Sequence, residues 1–217
     1  MRFEDARAAG RALAERLGSR GASGDAVVLA VARGGVGVGA EVAKGLGLPL
    51  DLILLRRLLL PRGSSRPACA ASVAGAGHLD EEVAAALDPG ARDPALREFV
   101  AGALAELDSE ARACRGVRPA LDLAGKTVVL VDNGVRTGST MLAALRALRA
   151  RAPARVVAAA PVADAAALAE LSAAAEEVVC LATPDPFGHV GLWYADFRRP
   201  PDAEICAMLD ETLKDER

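Results

Sequence analysis

The sequence predicts an α/β fold, a parallel central sheet flanked by helices, and three observations lead there. Asp25 to Ala32, Leu50 to Leu55, Thr127 to Val131, Arg155 to Pro161 and Glu177 to Ala182 are short, mostly apolar runs. Runs of that kind read as strands buried on both faces of a sheet. Segments with helical apolar spacing alternate with them, the expected pattern of a parallel sheet with crossover helices. Hydrophobic residues make up 52% of the 217 positions and aromatics only 3%. The core is therefore built from Ala, Val and Leu, which suits helices packed tightly on a sheet.

Phe3 to Leu17 has apolar residues at Phe3, Ala6, Leu13 and Leu17 among charges, an amphipathic helix ended near Gly18 and Gly21. Asp25 to Ala32 is the first core strand, and it delivers Arg33, Gly34 and Gly35 to its carboxyl end. Val36 to Leu46 follows as a helix. Three readings of this turn stand side by side. Arg33 with the N–H groups around Gly34 and Gly35 forms an anion cradle. Alternatively, Gly35-x-Gly37-x-x-Ala40 is a degenerate dinucleotide fingerprint, with Arg56 and Arg57 placed for a 2′-phosphate. The third reading is that the glycines serve close helix-to-sheet packing.

Leu50 to Leu55 is the second strand, with Asp51 at its entry and Arg56 and Arg57 at its exit, where they suit phosphate or pyrophosphate oxygens or simply lie in solvent. Pro61 to Gly77 is rich in Gly, Ser, Pro and Arg and reads as a mobile loop with one short strand, Ala68 to Val73, inside it. Loops of that length in a compact domain are usually functional or disordered. Asp80 to Leu87 and Asp93 to Arg115 read as helices. The second carries Leu96, Val100, Leu104, Leu107 and Ala111 on one stripe, as cover for the sheet or an oligomer contact. His78 reads as a surface residue, and Arg97, Arg112, Arg115 and Arg118 as solvated charge.

The densest chemistry lies between Lys126 and Met141. Thr127 to Val131 is a buried strand, and from Ser139 or Thr140 the residues Met141, Leu142, Leu145 and Leu148 mark one face of a helix that Pro153 stops. In a strand–loop–helix unit, ligands sit beyond the carboxyl end of the strand. Gly134 and Gly138 permit backbone conformations with positive φ and close approach to an anion. Thr137, Ser139 and Thr140 add hydroxyls, and the helix start adds unpaired N–H donors. A phosphate fits there, and Asp132 and Asn133 at the strand tip suit the vicinal hydroxyls of a sugar attached to it. The competing reading is an ordinary strand-to-helix turn capped by Asp132 or Asn133. A Walker A loop is excluded because no lysine precedes Ser139.

After the signature come the strand Arg155 to Pro161, a helix over Ala163 to Ala174 and the strand Glu177 to Ala182. The tail gathers Phe187, Trp193, Tyr194 and Phe197 within eleven positions, either a hydrophobic cluster or a platform for a flat ring. Asp202 to Leu213 closes the chain as a helix.

Val-Leu-Val-Asp-Asn-Gly-Val-Arg-Thr-Gly-Ser-Thr, residues 129 to 140, resembles the signature of type I phosphoribosyltransferases, in which hydrophobic residues precede two acids and a Thr-Gly phosphate loop follows. The second acid is Asn133 here, which keeps an acceptor oxygen and loses the charge. The resemblance extends to Arg33, Gly34 and Gly35 as a pyrophosphate loop, with Arg56 or Arg57 assisting, and to Pro61 to Gly77 as a flexible loop. The tail is similar to the hood of purine-type members, with Phe187, Val190 and Asp196 at the base. Within the family the chain most resembles the bacterial stand-alone members.

That likeness implies a single domain over residues 1–217, its core at about 20–182 and its hood from 183–217 with parts of 61–80. It implies 5-phosphoribosyl 1-pyrophosphate and a nitrogenous, purine-like base as substrates, Mg²⁺ as cofactor and a homodimer. Asp132 would act on the ribose and the metal, with Asn133 beside it, and Arg136, Thr137, Gly138, Ser139 and Thr140 would hold the 5-phosphate. Arg136 stands where some purine enzymes carry an aspartate that helps deprotonate the base. Arginine stays charged and cannot be a base, so it reinforces phosphate binding instead. Asn133 also leaves room for a regulatory protein of the same fold that binds without turnover, and the fingerprint for an NADP-dependent oxidoreductase.

The net charge of −3 argues against a nucleic-acid protein held by bulk electrostatics. Cys69, Cys114, Cys180 and Cys206 are widely spaced, which points to reduced thiols in a cytoplasm rather than to zinc or disulfides. Met1 to Asp5 has no signal-peptide core, and no apolar run approaches membrane-spanning length.

Overall fold

A computed structural model describes residues 1–18, 25–31, 34–58, 68–73, 76–79, 94–116 and 118–214. Arg33, most of the loop expected over Pro61 to Gly77 and the helix expected over Asp80 to Leu87 lie outside the described residues, as do the side chains of Arg57 and His78.

Seven strands form one sheet in the order β4-β3-β2-β1-β5-β6-β7. They are β1 (Ala26–Val31), β2 (Leu50–Leu58), β3 (Ala68–Val73), β4 (Ala76–Leu79), β5 (Thr127–Val131), β6 (Arg155–Val162) and β7 (Glu177–Ala182). The five strands β2, β1, β5, β6 and β7 run parallel. β3 and β4 add an antiparallel hairpin at one edge. The helices are α1 (Ala6–Leu17), α2 (Val36–Leu46), α3 (Pro94–Arg115), α4 (Ser139–Arg149), α5 (Ala165–Ser172) and α6 (Asp202–Lys214).

Side chains alternate across a strand, and the parallel strands here use both faces. Val28, Ala30, Leu50, Leu52, Val129, Val131, Val157 and Ala159 face a core completed by α1, α2 and the Ile205, Met208 and Leu209 side of α6. Val27, Leu29, Ile53, Val128, Leu130, Val156 and Ala158 face a second core under α4 and α5. This explains the unbroken apolar runs of the sequence.

Small residues set the helix spacing on the first face. A Cβ added at Gly10 of α1 would stand 2.6 Å from the Val38 carbonyl of α2, and one at Gly37 would meet Ala6 Cβ at 3.0 Å. Gly37 therefore serves helix packing, and the dinucleotide fingerprint loses a glycine it needs at a ligand. Asp5 caps α1 by accepting from the Ala8 N–H at 2.7 Å, and Asp164 caps α5 by accepting from Ala166 and Ala167.

Two sequence expectations are corrected here. β2 runs three residues past Leu55, because Arg56 and Arg57 join the ladder opposite Ala70 and Cys69 of β3. They are strand residues, not an exit turn. Arg115 is not solvated: it is 6% exposed, and its Nε donates to Asp51 Oδ1 at 2.7 Å while Nη2 donates to the Leu52 carbonyl. Asp51, 2% exposed, also accepts from the N–H groups of Leu52 and Leu121. The pair fastens the end of α3 and the following segment to β2. Among the described residues no helix is long and apolar enough to cross a membrane.

Removing one member of a buried pair leaves the other uncompensated, a loss of about 3–5 kcal/mol. Arg115→Ala is expected to lower unfolding free energy by that amount in urea titration, whereas a paired replacement by apolar residues of similar volume costs far less.

Candidate phosphate and sugar site

β1 leads through α2 to β2 on one side, and its neighbour β5 leads through α4 to β6 on the other. The chain thus diverges between β1 and β5, and a crevice opens beyond the carboxyl ends of such strands. The two strand ends are pressed together there. A Cβ at Gly35 would lie 2.7 Å from both the Val31 and Val131 carbonyl oxygens and 3.0 Å from Asp132 Cα, and one at Gly34 would lie 2.8 Å from Asn133 Nδ2. The Gly35 N–H donates to the Val31 carbonyl at 2.9 Å. Gly35 therefore contributes shape to the crevice, and its own N–H is engaged within the turn.

The tip of β5 is folded by its own polar groups. The Asp132 N–H extends the ladder to the Ala159 carbonyl at 3.2 Å, and the Asn133 N–H turns back onto Asp132 Oδ1 at 2.8 Å. Val135 donates to the Val162 carbonyl and accepts from the Asp164 N–H, so the loop is anchored at its middle to the end of β6. Gly138 then takes a left-handed conformation with φ 71° and hands the chain to α4. Side chains disfavour that region, and glycine does not. Thr137 Oγ1 and Ser139 Oγ sit 3.1 Å apart.

The result is a cavity of about 170 Å³ lined by Asp132, Arg136, Thr137, Ser139, Thr140 and Val190, with Gly134 and Gly138 in its wall. Gly134 lets Val190 close one side, since a Cβ there would meet Val190 Cγ1 at 2.6 Å. Hydroxyls, a guanidinium, the start of a helix and a carboxylate thus border one cavity. Such a set holds an oxyanion attached to a polyol.

Burial pushes the Asp132 carboxyl up to about 7, against the lowering effect of its bond to the Asn133 N–H. Part of the side chain still reaches the surface, but desolvation of the carboxylate dominates. Among the described residues no group of three or more His, Cys, Asp or Glu side chains could hold a metal ion. The hard oxygens present do suit Mg²⁺ that arrives on a phosphate substrate, with Asp132 as its protein carboxylate, because Mg²⁺ typically takes one or two carboxylates and completes its shell with phosphates and water.

One contributor stands out in the sequence only as a tail aromatic, without its partner. The Tyr194 hydroxyl donates to the Asn133 carbonyl. Burial and the Asp132 charge both raise the Tyr194 phenol, so it remains a donor.

Three other expected residues, Arg56, Phe187 and Asp196, do not line this cavity. Arg56 is paired with Glu106 and, at 2.8 Å, with Glu110 of α3, and it lines a groove with Phe99 rather than the crevice. Phe187 is 5% exposed in the main core, its ring 6.3 Å from that of Trp193. It is not an open stacking platform. Asp196 lies with Asp5, Arg198 and Glu204 around a different cavity, because its N–H pairs with the Glu4 carbonyl. Of the three base-binding residues only Val190 borders the phosphate and sugar cavity.

Two outcomes follow for stability. Asp132 titrates near 7 folded and near its ordinary 3.8 unfolded, so the folded state holds the extra proton between those values. The stability contributed by this one carboxyl is then fully present below pH 4, is lost as pH rises towards 7 and is gone above it, a difference of about 2–4 kcal/mol. Asp132→Asn should match the parent near pH 4 and melt higher at pH 8. Gly35→Ala forces a methyl against two backbone oxygens, and chemical denaturation should show a loss of at least about 1–3 kcal/mol.

Comparison with known proteins agrees with this geometry. A family model described as "Phosphoribosyl transferase domain" matches residues 76–196, more than half of the chain. Two Mycobacterium tuberculosis proteins, of strains CDC 1551 / Oshkosh and ATCC 25618 / H37Rv, each named "Putative phosphoribosyl transferase", are 39% identical over 98% of this chain. The chain spans about half the length of these curated relatives, 47%. The crystal structure of the protein TT1426 from Thermus thermophilus is 39% identical, with a TM-score of 0.81 over 97% of this chain and 99% of that one. A hypothetical protein from Neisseria gonorrhoeae, 14% identical over 97% of this chain and 98% of that one with a TM-score of 0.50, shares the fold alone. On the matched family model and the 39% identity held along nearly its whole length, the chain belongs to the phosphoribosyltransferase family.

Proposed function

We propose that the protein transfers the 5-phosphoribosyl group between 5-phosphoribosyl 1-pyrophosphate and a nitrogenous base, releasing pyrophosphate. The observation that carries this reading is the cavity in which Asp132 faces the hydroxyl loop and start of α4, at the point where β1 and β5 diverge. Thr137, Gly138, Ser139 and Thr140 hold the 5-phosphate, and Arg136 reinforces them with a permanent charge. Asp132 accepts the ribose hydroxyls and holds Mg²⁺. Bound Mg²⁺ supplies positive charge to the departing pyrophosphate.

Leaving of pyrophosphate makes the ribose ring cationic, and the enzyme's contribution is fixed charge and dipoles rather than covalent chemistry. Asp132 puts negative charge beneath that cation, and Asn133 contributes hydrogen bonding alone. The purine preference expected from the tail rests on the family likeness alone, so the acceptor is assigned only as a nitrogenous base. A cytoplasmic setting agrees with Cys114, Cys180 and Cys206 being thiols rather than halves of disulfides. The homodimer rests on the family likeness. The oxidoreductase alternative is set aside, since Gly37 packs against Ala6 and Arg56 is held by α3.

A second reading, binding of the same donor without turnover, is favoured by Asn133 in place of an acid. Thermal stabilisation by 5-phosphoribosyl 1-pyrophosphate with Mg²⁺ tests both. At about a hundredfold excess over Kd the melting temperature should rise by about 5–10 °C, with no comparable rise for NADP. Base-dependent release of pyrophosphate supports transfer and should be abolished by Asp132→Asn. Stabilisation without release supports the second reading, and absence of both overturns each. If the missing charge limits turnover, Asn133→Asp should raise kcat about tenfold or more.

A further inference from the structure

Tyr194 is 1% exposed and sits in the C-terminal segment, far along the chain from the signature. Its ring lies between those of Phe3, at 5.8 Å, and Phe197, at 5.2 Å. The backbone around it is fastened as firmly. The Phe3 N–H donates to the Trp193 carbonyl and the Ala195 N–H donates to the Phe3 carbonyl, both at 2.8 Å. Arg2 donates through Nε and Nη2 to the Tyr194 carbonyl at 3.1 and 3.0 Å. A ring held this way cannot swing aside, and its hydroxyl meets the Asn133 carbonyl.

The Asn133 N–H is already taken by Asp132 Oδ1 at 2.8 Å. The peptide groups on both sides of Asn133 are thus fixed, one by the Asp132 carboxylate and the other by the Tyr194 hydroxyl. Without the second restraint the Asn133–Gly134 peptide is held only through its neighbours Asp132 and Val135, and the Asp132 carboxylate shifts with the tip that carries it. We propose that Tyr194 is a positioning residue: its hydroxyl pins the strand tip so that Asp132 and the phosphate loop keep one relative geometry. The inference rests on reading that cavity as the phosphoribosyl site.

Tyr194→Phe deletes the hydroxyl and keeps the ring in its packing. Two measurements on the full chain decide the matter, hydrogen exchange over residues 132–141 and steady-state release of pyrophosphate from 5-phosphoribosyl 1-pyrophosphate with Mg²⁺. Pinning predicts exchange in that segment about two- to tenfold faster, the change one hydrogen bond supports, with β1 and β6 unaltered. It also predicts kcat/KM for the donor lower by about 10–100-fold, since small misplacement of a reacting group is costly. A role confined to stability would lower the melting temperature and leave both readouts at parental values, which overturns the proposal. Arg2→Ala, which loosens the tyrosine without touching its ring, should move both readouts the same way by less, and it serves if the phenylalanine variant does not fold. Should the parent neither bind nor turn over the donor, the phosphoribosyl reading fails on its own. Exchange then decides alone: faster exchange in the variant keeps the pin, and unchanged exchange removes it.

Discussion

The site depends on a steric constraint at the ends of two neighbouring strands. β1 and β5 leave the sheet in opposite directions, and the turn after β1 must cross directly over the tip of β5. Gly35 is the crossing point, with two carbonyl oxygens and an α-carbon inside the distance at which any side chain would collide. Close-packed interiors do not yield at such points, because backbone cannot rotate away as the end of a long side chain can. The crossing therefore brings the Gly34 backbone against the Asn133 side chain, and this closeness makes the two loops one site rather than two.

Electrostatics act on top of that geometry. Asp132 stands beside that crossing, where partial loss of water disfavours its charged form in the free protein. The same desolvation strengthens its attraction for any cation that enters. Stability given up by an ionised Asp132 is thus returned on binding Mg²⁺ or a cationic sugar, provided the reading of the cavity as a phosphoribosyl site holds. Asp51, also a carboxylate and more deeply buried, is met by Arg115 and by backbone donors, and it serves the fold.

What is legible in the sequence and what is hidden divide along the range of the interactions. The stretch from Lys126 to Met141 is readable in full: β5 spans Thr127–Val131 and α4 starts at Ser139, as expected. Its periodicity, glycines and hydroxyls act within a few residues of one another. Arg56 and Arg57 are hidden because the extension of β2 depends on pairing with β3, in a hairpin of which only one strand carries a signal. The burial of Arg115 depends on Asp51, 64 positions earlier, and the role of Tyr194 on Asn133, 61 positions earlier. No local pattern encodes such pairs. The aromatic tail stands out by composition, which leaves packing and stacking equally open. Phe187 packs, 5% exposed, in a core that also holds Phe3 and Tyr194.

That outcome gives the tail a different part in the architecture from the one its composition suggests. Residues 2–4 pair with residues 193–196 through three backbone hydrogen bonds and the Arg2 guanidinium, while Val190, a few positions earlier, forms a wall of the cavity. The segment is therefore a brace across the crevice, held at one side by the start of the described chain and touching the signature loop at the other. A brace of this form couples the order of the loop to that of the brace. Whatever loosens the Phe3–Tyr194 contact must also release the carbonyl of Asn133, because the hydroxyl and the ring belong to one rigid group with no joint between them. The loop proposed to hold the phosphate thus owes part of its order to a contact made by residues remote from it in sequence, and control of the site from that contact needs no movement of the sheet.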